Sequence, residues 1–301
     1  PEWEVELQTA FSFIRVSDSG TIADFSITTY GSGKTQQRAT MDAAEAISSQ
    51  LEFELRNIEE FRIRTGIIEV LSGSSVVLEL GSNMGISTGD EFSIINTRIL
   101  DSGHTIVDNT GLLVIKDVKR EISYGYVIYN SGKVFPGDRL SEVPRFGTDV
   151  SVYARGFFDA ESLTGGTAGI RTALSRGVFG LRPLLGVEIP LVSGTLNNIW
   201  PGLPLTIYGG GELFWYLGRL QIEPSITFGA TGLIPIQDED AFIITHVGGA
   251  AALTVNWMLS DGFRVFIEGG YSPWFSIAPS WQNIIADFGG IFGGAGVTFK
   301  L

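Results

Sequence analysis

The side chains that could do chemistry in this chain are few. It has no Cys and only two His, His104 and His246. Thiol nucleophiles, disulfides and zinc ribbons are therefore excluded, and a metal site or catalytic triad that uses His has few candidate members. His104 lies in Asp101-Ser102-Gly103-His104, whose composition is that of a hairpin turn, so we interpret it as a solvated loop residue. The remaining candidate for acid–base chemistry is His246.

A glycine-rich segment and an acidic segment are two further candidates. Tyr30-Gly31-Ser32-Gly33-Lys34-Thr35 lies between a predicted strand and a predicted helix, as a phosphate loop does, but Thr28 stands where that motif requires its first Gly. We interpret the segment as a polar turn before a helix. The trio Asp238-Glu239-Asp240 lacks the alternating ligand spacing of a Ca²⁺ loop, and we interpret it as a solvated loop. No metal and no cofactor is expected.

Composition and charge exclude several classes of protein. The 301 residues carry 20 Lys and Arg against 33 Asp and Glu, a formal charge of −13, whereas binding to nucleic acid needs a basic surface. Nucleic acid is therefore not an expected partner. The mean hydropathy is +0.22, yet no run of about 18 apolar residues occurs, so a transmembrane helix is excluded. Because the chain starts at Pro1 rather than Met, we expect a processed or trimmed chain whose export signal is missing.

Two compositions meet at residues 141–147. Residues 1–147 hold 34 of the 53 charged residues, whereas residues 148–301 hold 25 of the 39 Gly. The segment between them contains Pro144 and Gly147, which interrupt regular structure. We therefore predict a domain boundary there, and three domains in all, at 1–65, 66–143 and 148–301.

Residues 1–65 are predicted to form a small α/β unit. Alternating apolar residues from Trp3 to Val16, and a second run at 22–27, indicate two strands. From Gln36 to about Glu60 neither Gly nor Pro occurs, which together with the apolar spacing predicts a helix. The apolar residues that recur there at spacings of three or four, and that we expect on the buried face, are Ala44, Ile47, Leu51, Leu55 and Ile58.

Residues 66–143 are predicted to form a small all-β module. Short apolar runs separated by Gly, Asn and Asp are typical of strands joined by tight turns. A phrase recurs at 86–92 and 134–140, where Gly89-Asp90 and Gly137-Asp138 each precede a strand. This turn chemistry indicates a small closed barrel of the SH3-like type.

The N-terminal region resembles a family of periplasmic proteins. The run Gly66-Ile67-Ile68-Glu69-Val70, the strand from Val76 to Leu80 and the segment from Gly81 to Gly89-Asp90 resemble the C-terminal module of flagellar assembly protein T. The strand Ala23-Asp24-Phe25 and the helix after it resemble the α/β unit before that module, which is similar to the N-terminal folds of curli-secretion proteins and TolB. The resemblance covers residues 1–140 and implies a periplasmic scaffold, with ring formation left open, rather than a catalyst.

Residues 148–301 are predicted to form a transmembrane β-barrel. In the third of eight alternating segments, Leu185, Val187 and Ile189 share one face, and Arg182 and Glu188 share the other. Apolar residues outside and polar or small residues inside, in tilted segments of about ten residues, are the signature of outer-membrane barrels. The eight segments are 149–158, 167–175, 181–193, 204–217, 220–236, 242–259, 263–277 and 284–301.

Short connections alternate with longer ones in this half. Bacterial barrels have short periplasmic turns and longer outer loops, so an even strand count returns both ends to the periplasm. Residues 1–147 are therefore predicted to lie in the periplasm. The tight connections are Ser175-Arg176-Gly177, Gly218-Arg219 and Ser260-Asp261-Gly262, and the longer ones are 159–166, 194–203, 237–241 and 278–283.

The inward positions of the predicted barrel carry charges of both signs. An eight-stranded lumen is just wide enough for side chains to fill it, and buried charges must be paired to offset their desolvation. We therefore predict a charge network that closes the lumen rather than a pore. Its members are Arg155, Arg171, Arg182, Arg264, Glu188, Glu212, Glu223 and Glu268.

The last strand adds a second signal. Val297, Phe299 and Leu301 alternate with smaller or polar residues, and this resembles the C-terminal signal that the barrel assembly machinery reads, although the usual last residue is aromatic. Five Trp lie near predicted segment ends, where aromatic girdles belong. With the eight segments, these features resemble small barrels of the OmpA and OmpX type. The five are Trp200, Trp215, Trp257, Trp274 and Trp281.

The sequence thus predicts a mainly β protein, with an N-terminal α/β unit, an SH3-like module and an eight-stranded antiparallel barrel in the outer membrane. We expect a noncatalytic barrel that anchors a periplasmic scaffold, with outer-membrane lipid, the barrel assembly machinery and an envelope protein that contacts residues 1–147 as partners. Two alternatives stay open. One is a small pore. The other is a lipid-modifying enzyme with His246 near the outer rim, although its neighbours Thr245, Val247 and Gly248 supply no Ser nucleophile.

Overall fold

The computed structural model describes residues 2–158, 163–176, 180–192, 202–235, 243–277 and 287–301. In chain order these residues form a hairpin with one long helix, a closed six-stranded barrel and a closed eight-stranded barrel. The mainly β class and the eight-stranded antiparallel barrel are therefore confirmed. Among the described residues, no helix is both long enough and apolar enough to cross a membrane.

The N-terminal part is a two-stranded antiparallel hairpin that packs against a helix. Strand β1 (Trp3–Arg15) pairs with β2 (Gly20–Gly33), and α1 (Gln36–Asn57) follows. The helix begins at Thr35, whose side chain accepts a hydrogen bond from the backbone N–H of Arg38, as Ser and Thr commonly do at a helix start. It ends three residues before the predicted Glu60, because 59–61 form a 3-10 turn instead.

Of the five residues predicted on the buried face of α1, Ile47, Leu51, Leu55 and Ile58 are half-buried. Ala39 and Ala43 are fully buried, whereas Ala44 is exposed. The two small residues allow α1 to lie directly on β2 at Gly31, where a Cβ atom would be only 2.1 Å from the carbonyl oxygen of Ala39. Gly31 is thus part of a strand and is required by close backbone packing. The interpretation of 30–35 as a polar turn is therefore wrong for residues 30–33, which continue β2 up to Gly33, and the close packing of Gly31 on α1 does not favour a phosphate loop.

Residues 64–143 form the six-stranded barrel, with strand order β3-β4-β7-β6-β5-β8 and all pairs antiparallel. Its interior is apolar, and Phe92, Leu113 and Leu140 lie at its centre without solvent exposure. The strands are β3 (Arg64–Ser72), β4 (Ser75–Leu78), β5 (Glu91–Ile99), β6 (Thr105–Val118), β7 (Ser123–Asn130) and β8 (Arg139–Val143).

The two recurring Gly-Asp phrases form equivalent turns. Gly89 and Gly137 both have φ of +92°, a conformation that favours glycine. The carboxylate of Asp90 accepts a hydrogen bond from the backbone N–H of Ser87 at 2.8 Å, and that of Asp138 accepts one from Phe135 at 2.9 Å. Each turn delivers the chain into a strand that helps to close the small barrel.

Residues 148–300 form the eight-stranded barrel, an up-and-down meander in which β17 closes against β9. Two of the strands given below, β12 and β13, together make one of the eight barrel strands. They pair with successive parts of β14 and are separated by Leu213 and Phe214. The strands are β9 (Thr148–Phe158), β10 (Leu163–Leu174), β11 (Arg182–Val192), β12 (Gly202–Glu212), β13 (Trp215–Leu217), β14 (Leu220–Pro235), β15 (Ile243–Met258), β16 (Phe263–Ser276) and β17 (Phe288–Lys300).

The two faces of the large barrel differ as the alternation predicted. Along β11, Leu185, Val187 and Ile189 are exposed on the outside, whereas Arg182 and Glu188 are buried inside. The same outward exposure of large apolar residues occurs on several other strands, and the examples include Ile170, Ile207, Ile226, Phe228, Leu253, Ile267 and Ile291. A surface of this kind is too apolar for water and suits the hydrocarbon core of a bilayer.

Candidate functional site

The lumen of the large barrel contains two clusters of ion pairs. The first, which we name the proximal cluster, lies at the end where β9 begins and β17 ends, and consists of Asp149, Arg182, Glu212, Glu223 and Arg264. Arg182 donates to Glu212, to Glu223 at 3.0 Å and to Asp149 at 3.3 Å, and Arg264 donates to Asp149 at 2.5 Å. Two guanidiniums thus hold three carboxylates.

The second, distal cluster lies farther along the strands and consists of Arg155, Arg171, Glu188 and Glu268. Arg155 bridges Glu268 at 2.6 Å and Glu188 at 2.7 Å, and Arg171 donates to Glu268 at 2.9 Å. The hydroxyl of Tyr153 donates to Glu188 at 2.6 Å. Charge and hydrogen bonds are therefore balanced within the cluster, as buried ions require.

The eight predicted charged residues all lie in these two clusters. None of their side chains is more than 6% exposed. The predicted charge network did not include four further lumen residues, although Gln221 was placed on the inward face of its segment: Asp149, Tyr153, Gln221 and Asn256. Their inward parity along each strand could have identified them, because every second residue of a barrel strand faces the lumen. Gln221 Nε2 and Arg264 Nε have no hydrogen-bond partner among the described residues.

The six-stranded barrel covers the proximal end of the lumen through Glu91. Its carboxylate accepts hydrogen bonds from Lys300 Nζ and from Arg145 Nε and Nη2, the latter two at 3.1 and 3.0 Å. Arg145 also donates to the backbone oxygens of Asp261 at 2.5 Å and Lys300 at 3.2 Å. Glu91 of the small barrel is therefore bound directly to Arg145, in the segment that joins the barrels, and to Lys300, in the last strand of the large barrel. Through Arg145 it is also connected to the turn at Asp261.

Lys300 also balances the charge of the lumen. It lies directly across from Asp149 in the pairing of β17 with β9, and its side chain is buried. The ammonium therefore adds the positive charge that the proximal cluster lacks, while its hydrogen bond goes to Glu91 of the small barrel. The two barrels share this one cation.

Apolar and cation–π contacts surround this polar centre. Met258, at the end of β15, packs against Leu112, Val114 and Ile128 on the outer face of the small barrel, all of them buried. Lys116 lies 4.8 Å from the ring centroid of Tyr216, and Arg219 lies 3.8 Å from that of Tyr129. The contact has a buried apolar part and paired charges, which is the anatomy of a stable interface.

Two neighbouring acids at this interface have opposite pKa shifts. Burial would raise the pKa of Glu91, but the opposite charges of Lys300 and Arg145 outweigh it, so its pKa is lowered. Burial raises the pKa of Asp90, because Arg176 at 2.7 Å and the N–H of Ser87 only partly offset the desolvation. The surroundings therefore favour the ionised form of Glu91, whereas they disfavour the ionised form of Asp90.

His246 lies at the distal end of the lumen and is fully buried. Its Nδ1 is 2.9 Å from the hydroxyl of Thr245, and its ring is 5.0 Å from that of Phe288. Ser276 is its cross-strand neighbour, but Ser276 Oγ has no hydrogen-bond partner among the described residues. The Ser–His hydrogen bond of a hydrolase is thus not formed, and the enzyme alternative is not favoured. Residues 238–240 lie outside the described residues.

The last-strand residues point away from the lumen. Phe299 and Leu301 are exposed and Val297 is half-buried on the outer face, while Lys300 points inward. Of the five Trp, Trp215 and Trp257 are exposed near the proximal end and Trp274 is buried at the distal end, where it stacks on Phe288. Trp200 and Trp281 lie outside the described residues. His104 lies on an exposed turn, as expected.

A closed eight-stranded meander, apolar outside and charged inside, is the architecture of small outer-membrane barrels. Among solved structures, the chain is similar to Neisserial surface protein A (NspA), with 12% sequence identity and a TM-score of 0.34. The match covers 52% of this chain and 97% of the NspA chain. No protein-family model and no curated protein matches the chain.

Proposed function

We propose that the chain is a noncatalytic outer-membrane barrel with a closed lumen, and that it holds residues 2–147 against the periplasmic side of the membrane as an interaction surface. The observation that carries the proposal is the filling of the lumen by the two ion-pair clusters. Buried charges of this kind resist separation, because each guanidinium that moves away leaves a carboxylate unpaired in a poorly solvated site.

The covered proximal end supports the same proposal. With Glu91 tied to Lys300 and Arg145, the small barrel is fixed to the membrane barrel rather than tethered by a flexible linker. A partner that binds residues 2–147 would therefore be held at a defined distance from the bilayer. This fits a periplasmic scaffold, and the resemblance of this region to flagellar assembly protein T stays a prediction, as do its α/β and SH3-like assignments.

Two measurements on the full chain test this function. Heat modifiability in detergent, with a strand-rich circular dichroism spectrum, reports the membrane barrel. Planar bilayer recordings of the same preparation report the lumen, and we expect no steady conductance. A soluble, monomeric protein without detergent would remove the membrane location, and a large, steady open current would establish the pore alternative in place of a closed barrel.

The periplasmic placement and the C-terminal signal are tested in cells. We expect the protein in the outer-membrane fraction, with residues 2–147 protected from external protease until the membrane is permeabilised. If the barrel assembly machinery reads the last strand, Phe299→Ala should reduce the amount of folded barrel, because Phe299 occupies the outward face of β17. Phe263→Ala, on the neighbouring strand, is the matched control.

A further inference from the structure

A notch lies between α1 and the rim of the large barrel, at its proximal end. Its volume is about 410 Å³, and its walls are of two kinds. Phe53, Phe146 and Leu174 form an apolar wall, and three guanidiniums lie beside it, from Arg56, Arg145 and Arg176. Glu52, which is ion-paired with Arg56 at 2.7 Å, is the acidic residue of the lining.

The apolar wall continues the lipid-facing surface of the barrel. Leu174 is the last residue of β10 and is exposed on the same outer face as Ile170. Phe146 is 64% exposed, and its ring meets that of Phe53 edge to face at a centroid distance of 5.5 Å. An apolar strip therefore runs from the barrel wall into the notch, at the level where the wall ends and the polar residues of the small barrel begin.

The guanidiniums are anchored from behind by buried acids. Arg56 is paired with Glu142 at 2.8 Å, Arg145 with Glu91 at 3.0 Å, and Arg176 with Asp90 at 2.7 Å. Arg145 uses all three of its nitrogens within the protein. Arg176, by contrast, makes one ion pair among the described residues and is 43% exposed, so most of its N–H groups remain available in the notch.

The lining of the notch carries three guanidiniums and one carboxylate, while the other carboxylates that pair with the guanidiniums, Glu142, Glu91 and Asp90, are buried behind them. With a formal charge of −13, the protein repels anions in general, yet three guanidiniums meet at this one membrane-facing position. Guanidinium groups match phosphate oxygens in pairs of parallel hydrogen bonds. The guanidiniums and the apolar strip match the two parts of a phospholipid at the membrane surface. Its phosphate lies outside the hydrocarbon core of the bilayer, and its acyl chains lie inside.

We propose that this notch binds the head group of an anionic phospholipid. The phosphate lies against Arg176 and Arg56, and the first part of the acyl chains lies against Phe53, Phe146 and Leu174. The proposal rests on the proposed function only in that the barrel must lie in a bilayer. A bound lipid would hold α1 to the membrane surface and so add a third attachment beside Glu91 and the apolar interface.

The experiment is native mass spectrometry of the full chain, extracted in neutral detergent with equal amounts of phosphatidylglycerol and phosphatidylcholine of the same acyl chains. We expect one retained phosphatidylglycerol per chain in preference to phosphatidylcholine. Because Arg176→Gln alone would leave Asp90 unpaired, the test variant is Arg176→Gln with Asp90→Asn. We expect it to weaken retention about fivefold, the effect of losing about 1 kcal/mol of hydrogen bonding between the guanidinium and the phosphate. Phe146→Ala should also weaken it.

Arg120→Gln with Glu121→Gln is the matched control, since both residues are exposed on the turn between β6 and β7 and the pair of changes also removes one positive and one negative charge. Retention unchanged in the Arg176 variant, or lowered equally by the Arg120 and Glu121 variant, overturns the site. Equal retention of both lipids also overturns it. Glycerol phosphate and an acyl-bearing competitor are then compared at the same millimolar concentration. If glycerol phosphate displaces the lipid equally well, the site binds phosphate alone, and the assignment to a lipid is overturned. A folded, heat-modifiable protein that retains no lipid refutes the notch alone, whereas loss of heat modifiability refutes the membrane barrel.

Discussion

The six-stranded and the eight-stranded barrels of this chain are both closed antiparallel sheets, yet they are filled in opposite ways. The small barrel encloses Phe92, Leu113 and other apolar side chains, whereas the large one encloses the proximal and distal ion-pair clusters. The surroundings explain the difference. Water outside the small barrel drives apolar groups inward, but the large barrel has its large apolar side chains on its outer face, so its interior is held together by paired charges rather than by the hydrophobic effect.

The sharpest way to break this comparison is to remove one charge from the large barrel. Arg182→Met should lower the free energy of unfolding by about 3–5 kcal/mol, because Asp149, Glu212 and Glu223 would keep their burial and lose their shared cation. Denaturant unfolding in lipid vesicles measures the loss. Leu185→Met, on the outer face of the same strand, is the control and should cost less than about 1.5 kcal/mol. Equal effects of the two substitutions would contradict a lumen stabilised by charge.

In the small barrel, the corresponding substitution leaves a cavity in the apolar core. Leu113→Ala should lower the free energy of unfolding of that barrel by about 3 kcal/mol, because Leu113 is fully buried in the apolar core. Hydrogen exchange of the strands around it provides the measurement, with exposed Ile99→Ala as the control. Heat modifiability of the large barrel should be retained, and its loss would mean that the two barrels fold as one unit.

The contact between the barrels should be broken by a single neutralisation. Glu91→Gln removes the charge that Lys300 and Arg145 share and leaves the buried ammonium without its anion, so we expect the interface to weaken by about 2–3 kcal/mol. Faster hydrogen exchange at Leu112–Val114, with β14–β16 unchanged, would report separation. Glu69→Gln, an exposed change of the same charge, should have no effect. Unchanged exchange in Glu91→Gln would show that the apolar contacts alone hold the barrels together.

The smallest effect concerns pH, where Glu91 and Asp90 act in opposite directions. The lowered pKa of Glu91 means that its contribution is complete above about pH 4.5 and is lost as the pH falls through the folded-state value. The raised pKa of Asp90 means that its ionised form opposes the fold, so this penalty diminishes as the pH falls. From pH 7 to pH 5 we therefore expect the interface to be unweakened. Asp90→Asn should change its stability by less than about 1 kcal/mol. Weakening above pH 5 would contradict these assignments.

Period-two alternation is the part of the sequence that predicted most of this structure. It identified the strands of the large barrel and the inward position of residues such as Arg155 and Glu268, because a strand's geometry alone decides which face a residue takes. The period of a helix is less decisive, because four of the five residues predicted on the buried face of α1 are half-buried, but Ala44 is exposed and Ala43 is buried in its place. The break at Leu213 and Phe214 interrupts the segment 204–217, which was predicted as one strand, although three consecutive Gly at 209–211 lie just before it.

The contact between the barrels could not be predicted in the same way. Glu91 and Lys300 are far apart along the chain, and no local pattern relates them. Glu91 belongs to the Gly-Asp phrase that indicates a turn, and Lys300 to the alternation that indicates an assembly signal. Only the folded arrangement shows that the first residue of β5 in one barrel supplies the counter-ion for the last strand of the other.

The position of Lys300 links the contact between the two barrels to the closure of the large barrel. Arg145 reaches Glu91 from the segment that joins the two barrels. Lys300, however, is placed only when β17 has paired with β9. Glu91 therefore gains its second cation when the pairing of β17 with β9 closes the large barrel. The contact between the two barrels therefore depends in part on the seam between the first and last strands of the large barrel, and a chain in which β17 is unpaired lacks one of the two cations that hold Glu91.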